Sequence, residues 1–389
     1  MSVQLHPDNI RNLIMQGAVF IAILLSWIQL SQGGCKTVCH FYASNYITTT
    51  FHPEHVQPSL CEFLIIGYGY VVNSDNPRIA MHERVADFLS RISSYKKENP
   101  NLKVLLEVRS SRWSFEETFY KMLSSASSRV KFADSAKKFV LDNKFDGINI
   151  REETVDRLFK NFKTEFLSLM QLVAARIKSE RNLYMFASLV DTNKVHELDV
   201  NNDIQGLCRL ADMVIVETSY FYLDPGEKHG RTSRLYSKSE TDTKSVDYVT
   251  KLVLSRGCPK EKLVISVSTG VWCYQNLGKD RKGEEEYLRW AVVSYDKLCP
   301  FLNTGVKVQR LSDNGPYVMG EKLDYLNPVF DGDFIYYYED DISLKAKIDY
   351  AKQKGLAGIM FWDIWYDDFK GACNRGKFPF LNLIHRECS

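Results

Sequence analysis

The chain has 389 residues, 45% of them hydrophobic and 25% charged, with a formal net charge of +2. That length is enough for one (β/α)8 barrel with an insertion or for two modest domains. The composition provides a large core and excludes a disordered chain. The near-neutral balance supplies neither a basic field for nucleic acid nor an acidic tail.

In chain order, the first signal is a mostly apolar run from Leu13 to Leu30, preceded by Arg11 and followed by the small residues Ser31 and Gly33. Residues 1–33 read as a secretory signal peptide cleaved before Gly34, with a membrane-spanning signal anchor as the alternative. Either sends residues 34–389 into an oxidising compartment, outside the cell or facing its lumen. Nine cysteines suit that compartment. Their odd number leaves at least one thiol free or bridging chains. No Asn-x-Ser/Thr sequon accompanies them.

Eight strand candidates follow: Thr37–Ala43, Glu62–Tyr68, Lys103–Val108, Phe145–Arg151, Leu183–Val190, Met213–Ser219, Lys262–Ser268 and Gly358–Asp363. Most are followed by a helical pattern, which argues for an α/β fold with a parallel sheet, and eight such units argue for a TIM barrel. The clearest helix is expected over Val155–Lys178, where Leu158, Phe162, Phe166, Met170, Val173 and Ile177 recur at helical spacing. A second is expected over Asp341–Lys354, with Gly355 as its C′ glycine. Between the seventh strand and the last lies an excess of sequence, 273–334. Its charged piece Lys279–Glu286 reads as a solvated loop. His52-Pro53-Glu54-His55 has metal-like residues but no third ligand nearby, so it too reads as a solvated loop.

The most informative run is Lys144-Phe145-Asp146-Gly147-Ile148-Asn149-Ile150-Arg151-Glu152-Glu153. Phe145 to Ile150 reads as a buried strand, on which Asn149, Arg151 and Glu153 share one face. The run resembles the DGxDxDxE signature of glycoside hydrolase family 18, the chitinases and chitinase-like lectins. Asp146, Gly147 and Glu153 match it, while Asn149 and Arg151 stand at its second and third aspartates. The resemblance implies a substrate-assisted mechanism, in which the sugar's N-acetyl oxygen attacks the anomeric carbon and the terminal glutamate is the general acid. Arg151 opposes that chemistry. A guanidinium near Glu153 favours its ionised form and repels the cation that develops on the sugar. Glu153 therefore reads as a vestigial acid, a structural carboxylate paired with Arg151.

Pro58-Ser59-Leu60-Cys61, Leu105-Leu106-Glu107-Val108 and the stretch from Asp349 through Trp362 to Asp367-Asp368-Phe369 resemble further family segments. The resemblance implies a small α+β insertion at 273–334 and disulfides Cys39–Cys61 and Cys299–Cys373. It leaves Cys35, Cys208, Cys258, Cys273 and Cys388 unassigned. It also makes Trp362 the floor of the central sugar subsite, where an indole stacks on a pyranose face. Tyr68 matches a pocket aromatic on strand two. Trp113 matches another if two residues are inserted before it, and Tyr220 supplies a hydroxyl after strand six. Each could equally be a packing residue. An aromatic content of 13% suits such a groove or a well-filled core.

The departures outweigh the matches. Glu107-Val108-Arg109-Ser110 replaces a glycine-rich turn after strand three, Ser219-Tyr220-Phe221 lacks the aspartate of a Tyr-Asp pair, and Gly270-Val271-Trp272 replaces Tyr-Gly-Arg. The sequence thus reads as a catalytically inactive chitinase-like protein needing no metal or cofactor, and as a weak binder of chitin or N-acetylglucosamine oligomers. Two alternatives stand beside it. One is a hydrolase of altered mechanism; the other is a signalling or structural module that binds a protein partner and no sugar.

Overall fold

The computed structural model describes residues 34–42, 51–81, 85–109, 116–152, 161–190, 195–221, 229–230, 233–279, 281–283, 285–312, 315–320 and 333–388. The apolar segment 1–33, Trp113 and Glu153 lie outside these. No described helix is long and apolar enough to cross a membrane.

The strands are β1 (Lys36–Tyr42), β2 (Phe63–Val72), β3 (Arg78–Met81), β4 (Lys103–Arg109), β5 (Gly147–Glu152), β6 (Tyr184–Leu189), β7 (Met213–Val216), β8 (Leu263–Val267), β9 (Val271–Lys279), β10 (Glu285–Val293), β11 (Gln309–Arg310), β12 (Pro316–Gly320), β13 (Phe334–Tyr337) and β14 (Gly358–Phe361). Parallel pairing runs β1-β14-β8-β7-β6-β5-β4-β2, and β1 also pairs with β2. The ring therefore closes as a (β/α)8 barrel built from all eight expected strands. β3 folds back antiparallel on β2.

The helices are α1 (Val85–Glu98), α2 (Glu116–Ser124), α3 (Ala126–Asp142), α4 (Phe162–Ile177), α5 (Val195–Asn201), α6 (Ile204–Leu210), α7 (Val246–Ser255), α8 (Cys299–Leu302), α9 (Asp341–Lys354) and α10 (Pro379–Cys388). α4 buries Phe162, Phe166, Met170, Val173 and Ile177, as their spacing requires. Among the described residues it begins at Phe162, after Asn161 in a non-helical turn conformation (φ −113°, ψ 16°), and the first part of the expected stretch, 155–160, lies outside the described residues. α9 is defined at both ends. The Asp340 carboxylate accepts from the Ser343 N–H, and Gly355 ends the helix in the left-handed region (φ 67°, ψ 35°).

Alternation along the strands decides what enters the barrel. Val38, Phe63, Ile65, Leu105, Phe186, Ile215, Val264 and Met360 pack into one interior apolar cluster. Two residues further along, the inward positions turn polar or aromatic: His40, Glu107, Asn149, Ser188, Glu217, Ser266 and Trp362. The outward residues, such as Leu64, Leu106, Ile148 and Val214, join the larger cluster against the helices.

Between β8 and β14 a second, antiparallel sheet runs in the order β10-β9-β13-β12-β11, spanning Val271 to Tyr337. Its first hairpin corrects the loop reading of 279–286. Glu285 pairs with Lys279 and Glu286 with Gly278, so strand pairing claims both ends of the charged piece and leaves 281–283 as an exposed turn.

Four disulfides are formed: Cys35–Cys388, Cys39–Cys61, Cys208–Cys258 and Cys299–Cys373. Two are the pairs implied by the family resemblance. The other two take four of the five cysteines left unassigned. Cys273, buried on β9, stays a thiol, with its Sγ 3.8 Å from the Val271 carbonyl oxygen.

Candidate functional site at the barrel mouth

The inward polar layer sits at the carboxyl ends of the strands, where barrels of this class carry their sites. His40 of β1 is at its centre and fully buried. Its Nδ1 donates to Asp363, just past β14, and its Nε2 lies 3.1 Å from Glu107 Oε2 on β4. Burial alone would depress the imidazole pKa, but the charges of Glu107 and Asp363 outweigh it and lift it to about 9. For Glu107, burial works upward, while His40 and then Arg151 and Arg109 bring its carboxyl down to about 2. Asp363 is shifted upward by burial, against the pull of His40.

Asn149 fits this charge pattern. Its Nδ2 donates to Glu107 Oε2 at 3.1 Å and to Ser188 Oγ at 3.0 Å, and its Oδ1 accepts from the Ser188 hydroxyl at 3.1 Å. An aspartate at this position would face the Glu107 carboxylate with no proton to donate.

Two residues further along β5, Arg151 is 5% exposed. Its two terminal nitrogens donate to the two carboxylate oxygens of Glu217, just past β7, with Nη2 to Oε2 at 2.8 Å. This is the paired fork that a guanidinium and a carboxylate favour. The same guanidinium lies 4.1 Å over the Trp362 ring. Glu153, which the sequence offered as the carboxylate for Arg151, lies outside the described residues; among those described, Glu217 takes the fork. The sequence signal for it is an acid that ends the apolar run Met213-Val214-Ile215-Val216.

The remaining motif residues split. Asp146 precedes β5, at the far end of that strand from the mouth. Its carboxylate accepts from the Val104 N–H at 2.8 Å and pairs with Lys96 at 2.8 Å. Gly147 is there for space, since a Cβ on it would lie 2.1 Å from the Tyr184 carbonyl oxygen. Both residues serve the fold, and Glu153 falls outside the described residues.

Tyr68, Tyr220 and Trp362, the candidate aromatics among the described residues, are part-buried, and each has a partner. Trp362 stacks on His40, with ring centroids 4.0 Å apart, in addition to the Arg151 contact. Tyr68 stacks on Tyr42 at 5.3 Å, and the Arg109 guanidinium lies 3.7 Å over Tyr68 and 4.2 Å over Tyr42. Arg109 thus covers both tyrosine rings. Tyr220 stands apart from them, stacked on Trp272 at 4.6 Å where the second sheet begins. Beside that pair, Ser219, Ser268, Gly270, Tyr337 and Glu339 help line a small pocket of about 10 Å³. His52 and His55 bracket a short 3-10 turn, and among the described residues no group of three His, Cys, Asp or Glu side chains is placed to hold a metal.

The mouth therefore holds the cations His40, Arg109 and Arg151 among the carboxylates Glu107, Glu217 and Asp363. Of these, the sequence singled out Arg109 and Arg151, with Glu107 present only within segments compared with the family. His40, Glu217 and Asp363 were missed.

The sequence pattern of Glycosyl hydrolases family 18 matches residues 36–367. Chitotriosidase-1 of Mus musculus is 26% identical, over 95% of this chain and 80% of its own length. Chitinase-3-like protein 2 of Homo sapiens is 24% identical, over 92% of this chain and 94% of its own. Among solved structures, human YKL-39 with chitooligosaccharides superposes with a TM-score of 0.77 at 23% identity, over 91% of this chain and 99% of that one. The immunomodulatory active chitinase TsES1 of Trichuris suis gives 0.76 at 26% identity, over 91% of this chain and 100% of that one. Conserved barrel, matched segments and matched length agree: the chain belongs to glycosyl hydrolases family 18.

Proposed function

We propose that this protein is a secreted, chitinase-like barrel that does not hydrolyse its ligand and holds N-acetylglucosamine oligomers weakly, through aromatic stacking. The observation that carries the reading is the Arg151–Glu217 pair. Where the family motif has an aspartate to steady a developing positive charge, a buried guanidinium stands, fixed through both terminal nitrogens. A fixed cation there raises the energy of an oxazolinium or oxocarbenium-like state, the reverse of electrostatic catalysis. Asn149, engaged by Glu107 and Ser188, supplies no negative charge in its place.

Two further points support the reading. Human YKL-39 is described as a pseudo-chitinase with retained chitooligosaccharide binding properties, a combination of the kind proposed here. Four disulfides suit an oxidising, extracellular setting. The cations over Tyr68 and Trp362 favour a second reading, a barrel that binds a protein partner and no sugar.

The test is a titration with chito-oligosaccharides of increasing length, run beside a sensitive hydrolysis assay on the same preparation. Saturable binding without turnover is expected. Turnover that disappears in Glu153→Gln overturns the non-hydrolytic reading. Folded protein that binds no oligomer moves the assignment to the protein-partner reading.

A further inference from the structure

We infer that the Arg151–Glu217 ion pair is a built-in occupant of the Trp362 sugar platform, so that a neutral oligosaccharide binds only by displacing it. This rests on reading the mouth as a sugar groove, as proposed above.

A pyranose uses an indole by laying its apolar face on the ring. Here a flat, delocalised group already lies 4.1 Å over that ring, and an imidazole is stacked on the indole at 4.0 Å. Arg151 is not a wandering side chain. Both terminal nitrogens are held by Glu217, which sets the plane of the guanidinium. The arrangement is repeated one strand away. Arg109 is the register partner of Arg151 on the neighbouring strand, and its guanidinium lies 3.7 Å over Tyr68. Two candidate sugar platforms are thus each covered by an arginine from a strand end. A guanidinium on an aromatic face gains from the ring quadrupole, more so when shielded from water. A neutral sugar brings no charge to replace the guanidinium that both Glu217 oxygens accept from. Arg151 and Glu217 then set the affinity, while Trp362 remains the surface that would be used.

The experiment is a titration with chitotetraose, read by tryptophan fluorescence and by calorimetry. It compares the natural sequence, Arg151→Lys, and the double variant Arg151→Ala/Glu217→Ala. The double change is used because removing one partner of a buried pair strands the other, whereas removing both is often tolerated. The double variant is expected to bind at least about tenfold tighter than the natural sequence. Adding Trp362→Ala to it should abolish the gain. Arg151→Lys, which keeps a charge for Glu217 but loses the guanidinium over the indole and the fork, should show a smaller gain.

A folded double variant that binds no tighter overturns the inference. If the double variant does not fold, Arg151→Lys decides, and no gain there overturns it as well. Binding by the double variant alone would uphold the inference and remove the weak-binding reading. Binding by the natural sequence with no gain in the variants would do the opposite. No binding by any of them overturns both.

Discussion

Arg109 of β4 and Arg151 of β5 are direct register partners, so two guanidiniums enter the same end of the barrel from adjacent strands. Arg151 is paired with Glu217 just past β7, Arg109 acts on Glu107 of its own strand through its charge, and each guanidinium lies over an aromatic ring. The mouth is therefore an interlocked charge network, and changing one member disturbs the others. The predictions below depend on that coupling.

Hydrolysis is the first. Loss of one transition-state electrostatic partner commonly costs a factor of about 10²–10³, and here the sign of the charge is reversed too. A fluorogenic chito-oligosaccharide should give no turnover above background. Arg151→Asp with Asn149→Asp should not restore full activity, because new carboxylates would face Glu217 and Glu107, and the residues after β4, β7 and β8 also differ from the family pattern.

Stability should be asymmetric across the Arg151–Glu217 pair. Arg151→Ala alone leaves Glu217 nearly buried without its fork and is expected to cost about 3–5 kcal/mol. Replacing both residues with methionine should cost far less. Denaturant midpoints of the two variants, compared with the natural sequence, check this. Equal losses would mean that the pair contributes only by packing.

The His40–Glu107–Asp363 cluster makes stability depend on pH. His40 is lifted from 6.5 to about 9. Its contribution is therefore complete below about pH 6.5 and is lost as pH rises through 9. Glu107 is lowered from 4.5 to about 2, so its contribution is present above about 4.5 and is lost as pH falls through 2. The His40 and Glu107 contributions are together flat between about pH 4.5 and 6.5, while Asp363, raised by burial from 3.8, adds a decline as pH rises above that value. Melting temperatures of the natural protein and of His40→Gln, taken from pH 3 to 10, test it. The variant should lose the alkaline decline between pH 6.5 and 9. An unchanged slope there would remove His40 as the cause.

Cysteine chemistry gives a count. Native protein should react with no thiol reagent at Cys273, which is buried. Unfolding without reduction should expose one reactive thiol per chain, and peptide mapping should recover the four pairs. Each disulfide typically contributes about 2–4 kcal/mol, so reduction should lower the melting temperature clearly. More than one thiol before reduction would mean that a pair is open.

Oligosaccharide binding, where measured, should depend on Trp362 and little on Glu153. Trp362→Ala is expected to abolish it, and Glu153→Gln to leave it nearly unchanged. The reverse ranking would indicate polar recognition of the acetamido group rather than stacking.

The barrel was legible because its signals are local. Each strand shows its own apolar run, and each helix its own period or cap, as Asp340 and Gly355 do for α9. Arg151 and Asn149 were legible because a motif frames them. Their partners were not. His40, Ser188, Glu217 and Asp363 lie on strands or strand ends far apart in sequence, and only ring closure brings them into hydrogen-bond reach. Alternation says that a residue points inward; it does not say which inward residue it meets. The same limit hid Cys35–Cys388, whose partners are 353 residues apart.

That last bridge also has a mechanical meaning. Cys35 lies just before the first barrel strand and Cys388 in the last turn of α10, so the covalent bond joins the two ends of the whole barrel. A tension applied between the segment before Cys35 and the end of the chain passes through one sulfur–sulfur bond. It does not peel β1 from β14 and β2. The hydrogen-bonded ring is left out of the load path, and the mouth residues keep their geometry under a pull that would open an unbridged barrel from its first strand.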